Sequence, residues 1–252
     1  MRVTLPTLLV CGLTAGVYAG QPATQPGKAE NEHGNPKEIL AKAAAALKEV
    51  KHAQYRALYQ GTGWFKAYTP HLEGTAIIGE ASEHDIVRFR VEVRMTPARA
   101  FETIELTAGS DGEIFYVIDT QKKLVYADAD EAVLGTRARD PRRVLMYTFV
   151  SEDPLASLLE AEDVELREDV EISGEPCFQI HVPRPDERDV TWCLSKNDFL
   201  PRRVEAQIKS PWNAIGTTQV EIHDLIVETE CRPEVFRLSV PEGFTRTDDF
   251  AP

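Results

Sequence analysis

Apolar and polar residues alternate along most of this chain in short runs, after one segment with helical spacing. Asn35 as N-cap, Pro36 at the first helical position and Glu38 at the third mark a helix start. Ile39, Ala43, Leu47 and Val50 then recur at helical spacing, so one face of this helix is predicted to lie on a sheet. From His52 the pattern turns extended, through Tyr55, Ala57 and Tyr59 to Trp64. Gly74 to Gly79 carries Ala76, Ile77 and Ile78. The clearest strand is Val87 to Met95: Val87, Phe89, Val91, Val93 and Met95 alternate with Arg88, Arg90, Glu92 and Arg94, giving one buried and one wet face. Phe101 to Thr107 continues the pattern; Ser110-Asp111-Gly112 is a turn into Ile114 to Ile118; Leu124 to Ala127 return after Lys122-Lys123.

The series stops at Asp128. Between there and Asp163, Asp140-Pro141 and Asp153-Pro154 each read as an N-cap followed by a helix-starting proline. Leu145, Met146, Phe149 and Val150 form one apolar stripe and Leu155, Leu158 and Leu159 another, so two small helices are expected to cover something apolar. Strands resume at Val164 to Ile172, then a hairpin of Glu175 to Val182 and Val190 to Ser195, then Arg203 to Lys209. Thr217 to Val227 shifts phase at His223-Asp224, which predicts a β-bulge. Phe236, Leu238 and Val240 are expected to finish the sheet. The links are short, favouring antiparallel neighbours. The expected class is mainly β (α+β): a strongly curved antiparallel sheet of about ten to eleven strands with an N-terminal helix and lid helices.

Arg2, the apolar run from Leu8 through Val17 and the small residues up to Ala19 read as a signal peptide cut near Ala19, so the protein is expected to be exported. A lipoprotein reading would use Cys11, but the apolar stretch ahead of it is short and Val10 is large for that position. Residues 20–34, rich in Pro, Gln, Gly and Glu, read as a disordered leader, and 35–252 as a single domain. No other stretch approaches the roughly 18 apolar residues of a membrane span. The net charge of -13 argues against nucleic acid and an anionic membrane surface as partners.

Candidate chemistry is sparse. The hairpin alternation places Phe178, Ile180 and Val182 on one face with Val190, Trp192 and Leu194, and Cys177 and Cys193 together on the other. A cross-strand disulfide Cys177–Cys193 and a reduced pair are both compatible with that pattern, because the register is not legible. Cys231 is the third cysteine left after signal removal. His52, His71, His84, His181 and His223 stand singly without metal-ligand spacing, and His33 lies in the leader. Asp128, Asp130 and Glu131 lack the glycine and terminal glutamate of a calcium loop and read as a solvated loop. Trp64, Trp192 and Trp212 read as packing residues before sugar platforms. No nucleophile elbow, phosphate loop or dinucleotide fingerprint is present, so no catalytic residue, metal or cofactor is assigned.

In this order the chain resembles the periplasmic outer-membrane lipoprotein carrier superfamily (LolA/LolB-like). The likeness is carried by the helix Pro36 to Val50 running into a long strand and by Gly74 to Ile78. It continues through Ser110-Asp111-Gly112 before Ile114 to Asp119, Phe199 to Val204, and Pro233 to Phe244. The resemblance implies an unclosed β-barrel whose helices close a lid over a hydrophobic cavity for acyl chains, and the two Asp-Pro segments fall where the family keeps its lid. The family's lid-latching arginine, just after the strand matching Gly74 to Ile78, is replaced here by Gly79-Glu80-Ala81.

Two functional expectations follow. The first is a non-enzymatic periplasmic carrier of lipid or lipoprotein acyl chains, with a cavity lined by Val87, Phe89, Val91, Val93, Leu145, Met146, Phe149, Leu155, Leu158 and Leu159. The same residues filling a plain core is the bland counterpart. The second is an envelope domain, interaction or stress-sensing, that binds another protein on its sheet.

Overall fold

The computed structural model describes residues 34–99, 102–134, 140–184, 188–210, 214–230 and 232–247. The signal and leader readings, and those on Phe101, Trp212 and Cys231, lie outside them. Helix α1 (Pro36–Lys48) starts as its sequence predicts: the Asn35 side chain accepts from the Lys37 N–H, and Ile39, Leu40, Ala43, Ala44 and Leu47 are buried. Among the described residues twelve strands follow, against an expectation of about ten to eleven. They are β1 (His52–Gly61), β2 (His71–Ala81), β3 (Val87–Thr96), β4 (Ile104–Ser110), β5 (Phe115–Asp119), β6 (Leu124–Asp128), β7 (Glu165–Ile172), β8 (Glu175–Val182), β9 (Val190–Ser195), β10 (Pro201–Lys209), β11 (Ile215–Glu228) and β12 (Thr245–Thr247).

All belong to one sheet in the order β12-β6-β5-β4-β3-β2-β1-β11-β10-β9-β8-β7. Two antiparallel meanders, β1 to β6 and β7 to β11, are therefore joined where β11 pairs with β1. The predicted bulge is there: Gln54 faces Ile226 and Arg56 faces His223, and Asp224 takes a positive φ of 50° to accommodate the extra residue. The turn at Gly112 (φ 96°) is also as expected, with Asp111 Oδ1 accepting from the Glu113 and Ile114 N–H groups.

The register sorts the side chains onto two faces. On the inner one, Tyr59 faces Leu72, Leu72 faces Met95, Ala76 faces Val91, Val91 faces Ala108 and Val117 faces Tyr126. In the other meander, Val220, Val204, Trp192 and Ile180 lie in one row across β11, β10, β9 and β8. With the buried face of α1 these residues make the main core.

The C-terminal segment departs from expectation. Phe236, Leu238 and Val240 are not a strand; Pro233–Phe236 is a turn of 3-10 helix. Phe236 packs edge-on to His52, and Leu238 and Phe244 pack over Tyr116, Ile118, Val125 and Ala127 on the outer face. The Tyr116 hydroxyl donates to the Phe236 carbonyl at 3.1 Å. The chain then adds β12 parallel to β6. Pro233 favours the turn over a strand, and the outer face of β5 and β6 is apolar enough to need a cover.

Candidate functional site

Strand order makes the segment between β6 and β7 the centre of interest. β6 and β7 stand near opposite edges of the sheet, so residues 129–164 must span its whole width. The described part of that segment from Asp140 onward runs across the inner face, as a strap. The two Asp-Pro helices expected here are shorter and differently placed. Pro141–Val144 and Tyr147–Val150 are single 3-10 turns, and α2 (Ala156–Leu159) is one α-helical turn.

Asp140 does cap its turn, accepting from the Arg142 N–H at 2.9 Å. Asp153 is not an N-cap: Leu155, in the left-handed region at φ 62°, occupies that place and cuts Pro154 off from the helix. The physical reason lies in the apolar spacing. Val144, Leu145, Met146 and Phe149 are all buried and crowded in sequence, and frequent changes of backbone direction turn each toward the sheet where a continuous helix would face some away.

The strap is fastened at its middle by Tyr55 of β1. The Tyr55 hydroxyl donates to the Val144 carbonyl at 3.3 Å and accepts from the Met146 N–H at 2.9 Å. Its ring, 1% exposed, lies 5.7 Å from that of Phe149. Burial pushes its pKa far above the usual tyrosine value, so it stays a neutral donor and acceptor. Next to it, Arg143 donates to the Tyr59 hydroxyl at 2.8 Å. Arg142 pairs with Asp140 at 2.7 Å and with Glu131, holding the start of the strap to the end of β6. Burial raises the Asp140 pKa despite these contacts.

The structure brings the sequence-predicted cavity residues together. Phe89, Val91, Val93, Leu145, Met146, Phe149, Leu155 and Leu158 are all buried in the main core, and Val87 and Leu159 are half-buried at its margin. Phe89 is 2%, Val91 0% and Phe149 1% exposed, values that a side chain facing a water-sized void would not keep. The strap is therefore seated directly on these strands. Toward the other meander the cover thins: Val190, Trp192, Val204 and Ala206 are half-buried on the inner face. The Trp192 indole Nε1 is buried with no hydrogen-bond partner among the described residues.

Cys177 and Cys193 do share a face, as the alternation indicated. Cys177 stands opposite Ser195 and Cys193 opposite Gln179, a diagonal pair, and both are free thiols in a small outer-face cluster with Ile172. Burial pushes Cys177 up to about 12 and raises Cys193 as well, so neither is a nucleophilic thiolate at neutral pH. Among the described residues no three His, Cys, Asp or Glu side chains are grouped to hold a metal, and no helix is long and apolar enough to cross a membrane.

No protein-family model matches the chain, and no curated protein matches it. Solved structures do. LprF from Mycobacterium bovis matches at 8% identity and TM-score 0.49, over 83% of this chain and 97% of that one. The MucA/MucB complex of Pseudomonas aeruginosa matches at 11% identity and TM-score 0.43, over 82% of this chain and 62% of that one. An outer membrane lipoprotein-sorting protein domain from Vibrio parahaemolyticus matches at 12% identity and TM-score 0.32, over 80% and 97%. The chain spans about three fifths of the MucB chain it matches. These are likenesses of fold alone.

Two residues that hold the strap were not singled out in the sequence. Tyr55 and Tyr59 fall in the buried phase of β1, and a tyrosine there needs a partner for its hydroxyl, which is the signal that could have flagged them. The strap's own arginine, Arg143, reaches Tyr59, so the cover is tied to β1 although Gly79-Glu80-Ala81, the last residues of β2, supply no arginine.

Proposed function

We propose that this protein is a non-enzymatic binder and carrier of lipophilic molecules, and that an acyl chain takes the place of the strap on the inner face. The observation that carries the reading is the strap itself. It is a cover of single turns drawn edge to edge over an apolar face and fastened by the Tyr55 hydroxyl. Such a cover is exchangeable in energy. Val144, Leu145, Met146, Phe149, Leu155 and Leu158 contribute roughly 9–18 kcal/mol by burial at about 1.5–3 each. A chain of about fifteen methylenes contributes roughly 12 kcal/mol at ~0.8 each, before ordering costs. The two occupants are comparable, so a ligand replaces the strap without unfolding the sheet. The Trp192 N–H offers a donor to an ester or amide carbonyl at the less covered half of that face. The signal-like residues 1–19 support an activity in the cell envelope.

A protein partner on the sheet is less well served. The edge strand β7 presents Glu165, Glu168, Asp169 and Glu171 outward, charges that oppose edge-to-edge pairing. The test is uptake of a fluorescent fatty-acyl probe by delipidated, folded protein. Saturable uptake is expected, and Leu158→Ser with Leu159→Ser should strengthen it roughly tenfold or more, since the seated strap loses the burial of those side chains while the acyl chain that displaces it loses nothing. Absence of uptake by folded protein refutes the carrier reading and favours the protein partner.

A further inference from the structure

The antiparallel order gives the sheet two unlike ends. The connections after β1, β3 and β5 fall at one end, and those after β2, β4 and β6 at the other. The acidic residues collect at the second. Its loops carry Glu83 and Asp85, Asp111 and Glu113, then Asp130 and Glu131, with no lysine or arginine from 82 to 86, 111 to 114 or 129 to 134. In the β1 to β6 half the first end carries Lys66, Arg99, Lys122 and Lys123 against Glu102, while the entry to β7, which starts at the same end, carries Glu160, Glu162 and Asp163. The net charge of -13 is therefore unevenly spread along the β1 to β6 half, whose first end is locally basic.

At that same end two of the large apolar side chains that face water, Tyr68 and Ile215, stand on one rim; Ile226 and Val227, at the opposite end of β11, are also exposed. A turn of 3-10 helix at Gly63–Tyr68 follows β1 and holds Trp64, Phe65 and Tyr68 in one cluster, with ring centroids 5.1 Å apart for Trp64–Phe65 and 5.7 Å for Trp64–Tyr68. Tyr68 is 53% exposed, and the Arg99 guanidinium lies 4.4 Å from its ring centre. The start of β11 abuts this cluster: Gly216 packs so closely on Phe65 that a Cβ there would lie 2.8 Å from the Phe65 Cβ. Its neighbour Ile215 is 56% exposed. An amphipathic aromatic group, an exposed isoleucine and flanking cations on one rim match the layered chemistry of a lipid–water interface.

We propose that this end of the sheet, centred on Trp64, Phe65, Tyr68 and Ile215, docks on the headgroup layer of an anionic lipid bilayer. The rings and Ile215 enter the headgroup–acyl boundary, while Lys66, Arg99, Lys122 and Lys123 pair with lipid phosphates. The acidic end points away, which orients the molecule. The proposal stands on surface residues and holds whether or not the inner face takes a ligand.

The test is co-sedimentation of the purified protein with vesicles of phosphatidylcholine containing phosphatidylglycerol, beside vesicles of phosphatidylcholine alone. Binding is expected on the anionic vesicles, weakening with salt. Tyr68→Ser with Ile215→Ser should lower it roughly tenfold or more through lost apolar contact. Lys66→Gln with Lys123→Gln should lower it roughly tenfold or more through lost charge attraction. Glu83→Gln with Glu113→Gln, at the far end, should not lower it. All these side chains are exposed, so unchanged circular dichroism should accompany each variant. Absence of binding to anionic vesicles at low salt, or binding that both patch variants retain in full, overturns the proposal. Acyl-probe uptake in vesicle-free solution reports on the carrier reading separately.

Discussion

Removing one oxygen atom should loosen the strap without touching its apolar contacts. Tyr55→Phe keeps the ring against Phe149 and deletes the hydroxyl that serves both the Val144 carbonyl and the Met146 N–H. Both backbone groups are left buried under the strap unless it lifts to reach water. An unsatisfied buried group costs roughly 1–3 kcal/mol, so the pair disfavours the seated strap by about 2 kcal/mol or more. At about 1.4 kcal/mol per tenfold, the open fraction rises roughly thirtyfold. Hydrogen exchange read by mass spectrometry should show that acceleration in residues 141–150, with α1 and β3 unchanged. Acyl-probe affinity should rise by a similar factor, because apparent affinity scales with the fraction of molecules already open. Tyr59→Phe, which removes the acceptor used by Arg143, is the milder comparison. Wild-type exchange in residues 141–150 of Tyr55→Phe, or acceleration spread evenly over the sheet, would refute the idea that this hydroxyl fastens the strap.

Phe89→Asp should destabilise the fold by roughly 4 kcal/mol or more in urea melts, since Phe89 is 2% exposed at the middle of the inner face and a carboxylate finds no partner there. Arg90→Glu, on the outer face beside Glu92, should stay within about 1 kcal/mol; equal melting of wild type and Phe89→Asp would mean the faces are reversed. Burial holds His52 below its ordinary value of 6.5, with Arg232 adding and Glu228 opposing. The unfolded chain therefore binds a proton that the fold refuses, and stability falls as pH drops from about 7.5 to 5.5. His52→Leu should flatten that part of the Tm–pH curve, and an unchanged slope would rule His52 out as a contributor. Arg202, whose side chain is 9% exposed, binds Glu175 at 2.6 Å and Asp198 at 2.7 Å. Although burial works the other way, hydrogen bonds from Arg202 and Ser195 hold the Glu175 carboxyl low, so the pair's stability is present above the ordinary carboxylate range and lost as pH falls through it. Arg202→Ala should cost about 3 kcal/mol at pH 7 by leaving Glu175 half-buried without its cation, and a cost near zero would show the pair to be ornamental.

The periodicity of side chains determined a great deal by itself. The alternation from Val87 to Met95 set which face of β3 is buried. Asn35-Pro36 set where α1 begins, Ser110-Asp111-Gly112 set a turn, and the phase change at His223-Asp224 set a bulge. Each of these is a local matter, decided by backbone sterics, by one capping oxygen, or by the twofold repeat of a strand. The apolar density of residues 141 to 159 likewise announced a cover. Only the tertiary structure decided what kind of cover it is. Asp153-Pro154 has the local chemistry of a helix start, yet Leu155 turns left-handed there because the strap must follow the inner face of the sheet. The C-terminal Phe236-Leu238-Val240 alternates like a strand but lies across the outer face, because β5 and β6 leave Tyr116, Ile118 and Val125 to be covered from outside. The pairing of β11 with β1, the diagonal placement of Cys177 and Cys193, and the meeting of the Tyr55 hydroxyl with Val144 and Met146 all join residues far apart in the chain or depend on an exact register. Local pattern carries no information about such partners, because they are selected by the closure of the whole sheet and the single path left across its inner face.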